Sequence, residues 1–213
     1  MVSKDVVFWD VDTQVDFMLP GGKLYVPGAE KLIPNMKRLV DAAREGSVFL
    51  AGDADAHSMQ DEEFKRWPPH CLKGTPGAQY VPETLTDKVL VIPNVPDFPL
   101  PRDFRNYQQL ILEKNTLDVF ENPNTEAVLE RLGKHADYVI FGVVTEYCVR
   151  LAAKGLIERG HRVLLVKDAI ETLNDADGKR THEELAGIGV RMITTDQALA
   201  LVYKKTPAVT VSN

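Results

Sequence analysis

A cysteine set where an apolar run gives way to a helical pattern is a thiol in a position to react. Residues 138–144 are continuously apolar, Thr145 and Glu146 break the run, and Val149, Ala152, Ala153, Leu156 and Ile157 then share one helical face. The pattern predicts a strand buried on both sides, then a helix with Cys148 in its first turn. Free N–H groups and the positive end of the helix dipole favour a thiolate there, so the chemistry would be nucleophilic. A cysteine is also a small hydrophobe that often fills a core, so the thiol needs partners. Asp12 and Lys114 stand at the ends of two other apolar runs. An aspartate near pKa ~3.9 is a weak base for a thiol near ~8.5, a gap of roughly 6 kcal/mol. A neighbouring ammonium lowers the thiol and burial raises the carboxylate, which narrows the gap. Taken singly, Asp12 could cap a turn and Lys114 could pair on the surface.

Asp55, His57, Glu63 and His70 form a second constellation within sixteen residues. Two imidazoles with carboxylates suit a divalent transition metal, with zinc, iron and manganese all accepting such a set. Asp55 and His57, two apart, can point the same way on extended chain. Asp53 is a rival to Asp55, and a solvated polar loop is the plain alternative. Zinc there could polarise a ring nitrogen or a bound water. The other histidines, His135, His161 and His182, read as surface residues. Phe17 and Trp67, close in sequence to Asp12 and His70, could sandwich a flat ring or belong to the core.

These side chains need a frame. Apolar runs at 6–12, 47–51, 89–92, 110–112, 138–143, 163–166 and 190–193 read as strands, and helical patterns occupy 28–46, 123–134, 146–159, 178–187 and 196–202. The alternation implies a parallel sheet with helices on both faces. In such sheets ligands sit beyond the carboxyl ends of the strands. Asp12, Asp53 and Asp55, Lys114 and the stretch 144–148 all fall there, so four strands deliver reactive groups to one edge. Residues 53–86 read as a loop insertion that carries the metal set, and 93–106 as an irregular proline-rich segment. The whole of 1–213 is expected to be one domain, with the tail after the last helix ordered by a partner.

Length and composition narrow the function classes. The 213 residues are 44% hydrophobic and 26% charged, ordinary for a globular chain, with a formal net charge of −6. No basic cluster points to nucleic acid or a membrane surface. No secretory signal is visible, and no apolar run approaches the roughly 18–20 residues of a membrane span. The two cysteines, Cys71 and Cys148, make no disulfide framework, so a reducing cytoplasm is expected.

Together the segments resemble the isochorismatase-like cysteine hydrolases, and within them the nicotinamidases, from about residue 6 to 201. Residues 9–17, WDVDTQVDF, resemble the opening D-x-Q-x-D-F motif, with Asp12 in the acid/base place. Lys114 ahead of Asp118, Val119 and Phe120 is similar to the catalytic lysine motif, and 142–149, GVVTEYCV, to the nucleophile motif. The resemblance implies a three-layer α/β/α fold with a six-stranded parallel sheet. It implies a cis peptide between Val143 and Val144, and an oxyanion hole from the backbone N–H groups of Val144 and Cys148. Asp55, His57 and His70 match the nicotinamidase metal ligands, and Glu63 a carboxylate ligand of some members. Phe17 and Trp67 match the aromatic pair that flanks a pyridine ring, and Tyr147 occupies a variable pocket position. Where the motif often has Trp, this chain has Ala56. The function implied is a metal-containing amidase that converts nicotinamide to nicotinate and ammonia. The alternatives are the same machinery on another small amide, carbamoyl or ureido compound, and a silent metal-binding oligomer. A homo-oligomer is expected, with a small amide as the other partner.

Overall fold

The computed structural model describes residues 6–203; the tail expected to be ordered by a partner lies outside them. Strands β1 (Val6–Val11), β2 (Phe49–Asp55), β3 (Val89–Ile92), β4 (Gln109–Lys114), β5 (Asp137–Gly142), β6 (Arg162–Ile170) and β7 (Arg191–Ile193) form one parallel sheet in the order β3-β4-β2-β1-β5-β6-β7. The sheet thus has seven strands, where the resemblance implied six. The three residues of β7 are enough to hydrogen-bond beside β6 and bury Ile193.

Every residue of β1 is buried, because alternate side chains serve two cores. Val7, Trp9 and Val11 pack on the side of helices α3 (Thr125–Leu132) and α4 (Arg150–Glu158). Val6 and Phe8 pack on the side of α2 (Ile33–Arg44) and α6 (Thr195–Val202). On α2, Met36, Leu39 and Val40 are fully buried, each worth roughly 1.5–3 kcal/mol over exposure. Gly46, at φ 74°, ends that segment as its position suggests.

Some boundaries differ from the sequence reading. The helix expected over 28–46 is a 3-10 turn, Ala29–Leu32, continued by α2. Helix α5 (Asp175–Gly187) starts earlier than 178, because the Asn174 side chain accepts from the N–H groups of Ala176 and Asp177. The one-turn helix α1 (Val15–Met18) is too short to show a period. Strand β2 extends through Asp55, so the loop begins after that residue rather than at 53. His161 is buried rather than exposed, its ring 4.8 Å from that of Tyr138, and burial pushes its pKa down.

Chain order reverses at β1, whose neighbours β2 and β5 are entered from opposite directions. The crevice beyond the carboxyl ends of these strands is where such folds hold ligands.

Candidate active site

Asp12 follows the last residue of β1 in the left-handed region, at φ 51°, with its N–H donating to the Asp53 carbonyl at 3.1 Å. Asp55 and Lys114 end β2 and β4 and are partners in register, so the sheet itself sets them side by side. Cys148 does not sit in the first turn of α4. It lies in a π-helical turn, Thr145–Val149, closed by Val149 N–H on the Val144 carbonyl at 3.2 Å, and α4 starts only at Arg150. The Val143–Val144 peptide is cis, as the resemblance implies. Among the described residues, the Val144 N–H donates to no backbone carbonyl.

Lys114 is 1% exposed and is the hub. Its Nζ lies 2.9 Å from Asp12 Oδ2, 3.6 Å from Cys148 Sγ and 3.9 Å from Asp53 Oδ1, and it also contacts Asp55 Oδ1. The surface pairing falls instead to its neighbour Glu113, which meets Lys73 at 2.6 Å. Burial alone would lower the lysine's pKa, but the carboxylates of Asp12 and Asp55 outweigh it and hold the ammonium charged. Burial raises Asp12 well above the usual carboxylate range, which Lys114 offsets only in part. Burial likewise pushes the Cys148 thiol up against the pull of Lys114. The Asp12 ion pair lacks a well-aligned hydrogen bond, and neither carboxylate oxygen has another partner, which leaves room for a proton. Asp12 and Cys148 thus share Lys114 as a neighbour, and a carboxylate raised by burial is a stronger base than a solvated one.

One oxygen of Asp55 serves Lys114; the other faces the histidines. Asp55 Oδ2 lies 3.3 Å from His70 Nε2 and 3.5 Å from His57 Nε2, and Glu63 Oε1 is 3.9 Å from His70 Nε2. The donor atoms of Asp55, His57, Glu63 and His70 all fall within 4.8 Å of one another. His57 Nδ1 sits 2.9 Å from Asp61 Oδ2 and His70 Nδ1 2.8 Å from the Pro68 carbonyl. Both partners accept, so both Nδ1 atoms carry a proton, which leaves the two Nε2 atoms, both turned toward Asp55, as the positions at which a metal would bind. His57 Nε2 is buried without a hydrogen bond, as a metal ligand lacking its ion would be. Burial would raise Asp55, but Lys114 and the two imidazoles hold it well below the usual range. Burial would lower His57, but Asp55 and Asp61 outweigh it and raise its pKa. The residues therefore fit a divalent cation. Asp53, the rival, stands outside the group: the Trp9 indole N–H donates to its Oδ2 at 2.7 Å.

Phe17, Trp67 and Tyr147 line one pocket with Cys148, Val144, Asp55, Glu63 and His70. Phe17 stands edge-on to His70 at 5.3 Å and also belongs to the core beside α2, so it is at once a core residue and part of the pocket lining. Trp67 stands edge-on to Tyr147 at 5.4 Å. The pocket's free volume is about 30 Å³. The proline-rich segment 93–106 supplies none of its lining; Asn122 and Asn124 tie that segment down through the Pro93 and Val95 carbonyls.

Sequence reasoning misses the residues that hold these groups in place. Gln14 accepts from Asp55 N–H and donates to the Asp55 carbonyl, each at 2.8 Å, as a neighbouring strand would. Asp16 accepts from Cys71 N–H at 2.8 Å and so fixes the chain beside His70. Both lie inside the opening motif, so their spacing was a signal without an assigned role. Asp61, four residues after His57, gives a weaker one. Leu24, Leu117 and Leu173 complete the pocket and carry no signal at all.

The Isochorismatase domain model matches residues 7–95 and 85–197. The nicotinamidase of Saccharomyces cerevisiae is 25% identical, across 86% of this chain and 96% of its own. The nicotinamidase/pyrazinamidase of Mycobacterium tuberculosis is 26% identical, across 86% and 95%. The crystal structure of Pyrococcus horikoshii pyrazinamidase in complex with zinc superposes with a TM-score of 0.72 at 28% identity, across 89% of this chain and 99% of that one. The chain belongs to the isochorismatase family.

Proposed function

We propose that this amidohydrolase is a nicotinamidase, cleaving nicotinamide to nicotinate and ammonia through a thioester on Cys148. The observation that carries the reading is the position of Lys114 Nζ, 2.9 Å from Asp12 and 3.6 Å from Cys148, against the far side of the carboxylate that faces the histidines. Asp12 takes the thiol proton, and Lys114 stabilises the resulting thiolate. The C–S bond forms at the carboxamide carbon, and the oxyanion meets the backbone N–H groups of Val144 and Cys148. The C–N bond then breaks as Asp12 returns its proton to the leaving ammonia. Water, deprotonated by Asp12, attacks the acyl carbon, and the departing sulfur regains a proton as the acid forms.

Asp55, His57, His70 and Glu63 would hold a divalent metal, zinc first among the choices, with Asp61 and the Pro68 carbonyl orienting the imidazoles. When bound, that ion supplies a Lewis acid able to polarise the pyridine nitrogen or a water. Phe17 and Trp67 line the pocket as aromatic walls suited to the body of a planar ring. The test is ammonia release from nicotinamide by the zinc-loaded protein and by Cys148→Ala. Loss of turnover in the variant is expected; equal rates refute the assignment of the nucleophile. No release by the wild type, with release from another small amide, refutes nicotinamide as the substrate.

A further inference from the structure

Five hydrogen bonds tie the segment after β6 to the turn that carries Cys148. Thr145 donates to the Glu171 carbonyl from its N–H at 2.8 Å and from its hydroxyl at 2.7 Å. Glu146 accepts from the Thr172 hydroxyl at 2.7 Å, from Leu173 N–H at 2.9 Å and from Asn174 N–H at 3.1 Å. One carboxylate thus gathers three consecutive residues. Leu173 is the middle one. It is 40% exposed and joins neither of the two large cores, yet it lines the pocket with Cys148, Trp67 and Tyr147. Left out of both large cores, the Leu173 side chain borders the pocket that Cys148 also lines, on backbone that Glu146 holds in place.

We propose that Glu146 is a positioning residue that holds Leu173 as a wall of the substrate pocket, and that this wall limits the site to small, unsubstituted carboxamides. The inference rests on the reading that an amide binds against Cys148. A carboxylate suits the task because its acceptors serve two N–H groups and a hydroxyl at once, and charge strengthens each bond. Glutamine at 146 keeps most of the arrangement, since its carbonyl accepts from the N–H groups and its amide can donate to Thr172. Alanine removes all three contacts.

The test compares metal-loaded wild type with Glu146→Ala, Glu146→Gln and Leu173→Ala. Alkylation of Cys148 is followed by peptide mapping with iodoacetamide and with bulkier 2-iodo-N-phenylacetamide. The ratio of the two rates reads the width of the pocket without reference to the natural substrate. We expect Leu173→Ala and Glu146→Ala to raise the bulky-to-small ratio about tenfold or more, the range in which pockets discriminate by one or two carbons. Glu146→Gln stays near wild type. With nicotinamide, Glu146→Ala raises KM more than it lowers kcat. A raised ratio in Leu173→Ala but not in Glu146→Ala overturns the role of Glu146. An unchanged ratio in both overturns the wall. Should Glu146→Ala fail to fold, Glu146→Asp, one methylene too short, carries the same test. If nicotinamide is not turned over but the ratios shift as expected, the wall stands and the substrate assignment falls.

Discussion

Replacing Lys114 with methionine keeps much of the buried stem and removes the charge that Asp12, Asp55 and Cys148 share. At 3.6 Å and an effective dielectric near ~20, the attraction between ammonium and thiolate is about 5 kcal/mol. Part of that loss is recovered, because Asp12 and Asp55 also lose their cation and take up protons. The thiolate population near neutral pH should therefore fall on the order of a hundredfold to a thousandfold. The sign follows from the cation's pull: without it the thiol pKa rises, and the rate–pH curve for alkylation moves to higher pH. The assay is iodoacetamide labelling of Cys148 between pH 6 and pH 10, with peptide mapping and near-UV circular dichroism to confirm the fold. Cys71 is an internal control, since burial keeps its thiol pKa far up. A folded Lys114→Met protein that labels at the wild-type rate near neutral pH would refute the coupling between lysine and thiol.

Two other perturbations probe neighbouring parts of the site. Asp61→Ala removes the partner of His57 Nδ1 and should weaken zinc binding about 10–100-fold in competition with a chelator; unchanged affinity would exclude Asp61 from orienting the ligand. Burial pushes Asp53 up to about 7, so the folded state holds its proton to higher pH than the unfolded chain does. Stability from this group is complete below about pH 4 and is lost as pH rises toward 7. Asp53→Asn keeps an acceptor for Trp9 and should flatten that decline in urea unfolding of the metal-loaded protein; an unaltered slope would remove Asp53 as its source.

Asp12, Lys114 and Cys148 can be read from sequence because a parallel sheet sends the residues at its strand ends to one edge. That rule needs only strand boundaries, and the buried strands mark themselves by continuous apolar runs. Asp55, His57 and His70 are legible because few residue types bind metals and these lie close together. The turn at 145–149 is less so, since one extra residue per hydrogen-bonded ring leaves the apolar period almost unchanged. Gln14 and Asp16 show their tasks only in space: their partners lie 41 and 55 residues away, and a polar side chain does not name its acceptor. Leu173 is silent for another reason. Its loop has no periodicity, and its place is fixed by hydrogen bonds from a different segment.

The clamps of Gln14 on Asp55 and of Asp16 on Cys71 also bear on how metal affinity and folding are linked. The four candidate ligands span a short stretch of sequence, yet their convergence depends on residues contributed by the first strand's exit. An unfolded chain offers these donors without the convergence, so an ion held there as proposed would bind the native state far more strongly. By mass action each tenfold excess of free ion over its dissociation constant then adds about 1.4 kcal/mol to the stability of the whole protein. If these residues hold a metal as proposed, its occupancy would report on global folding, and chelation should lower the melting temperature as well as the activity.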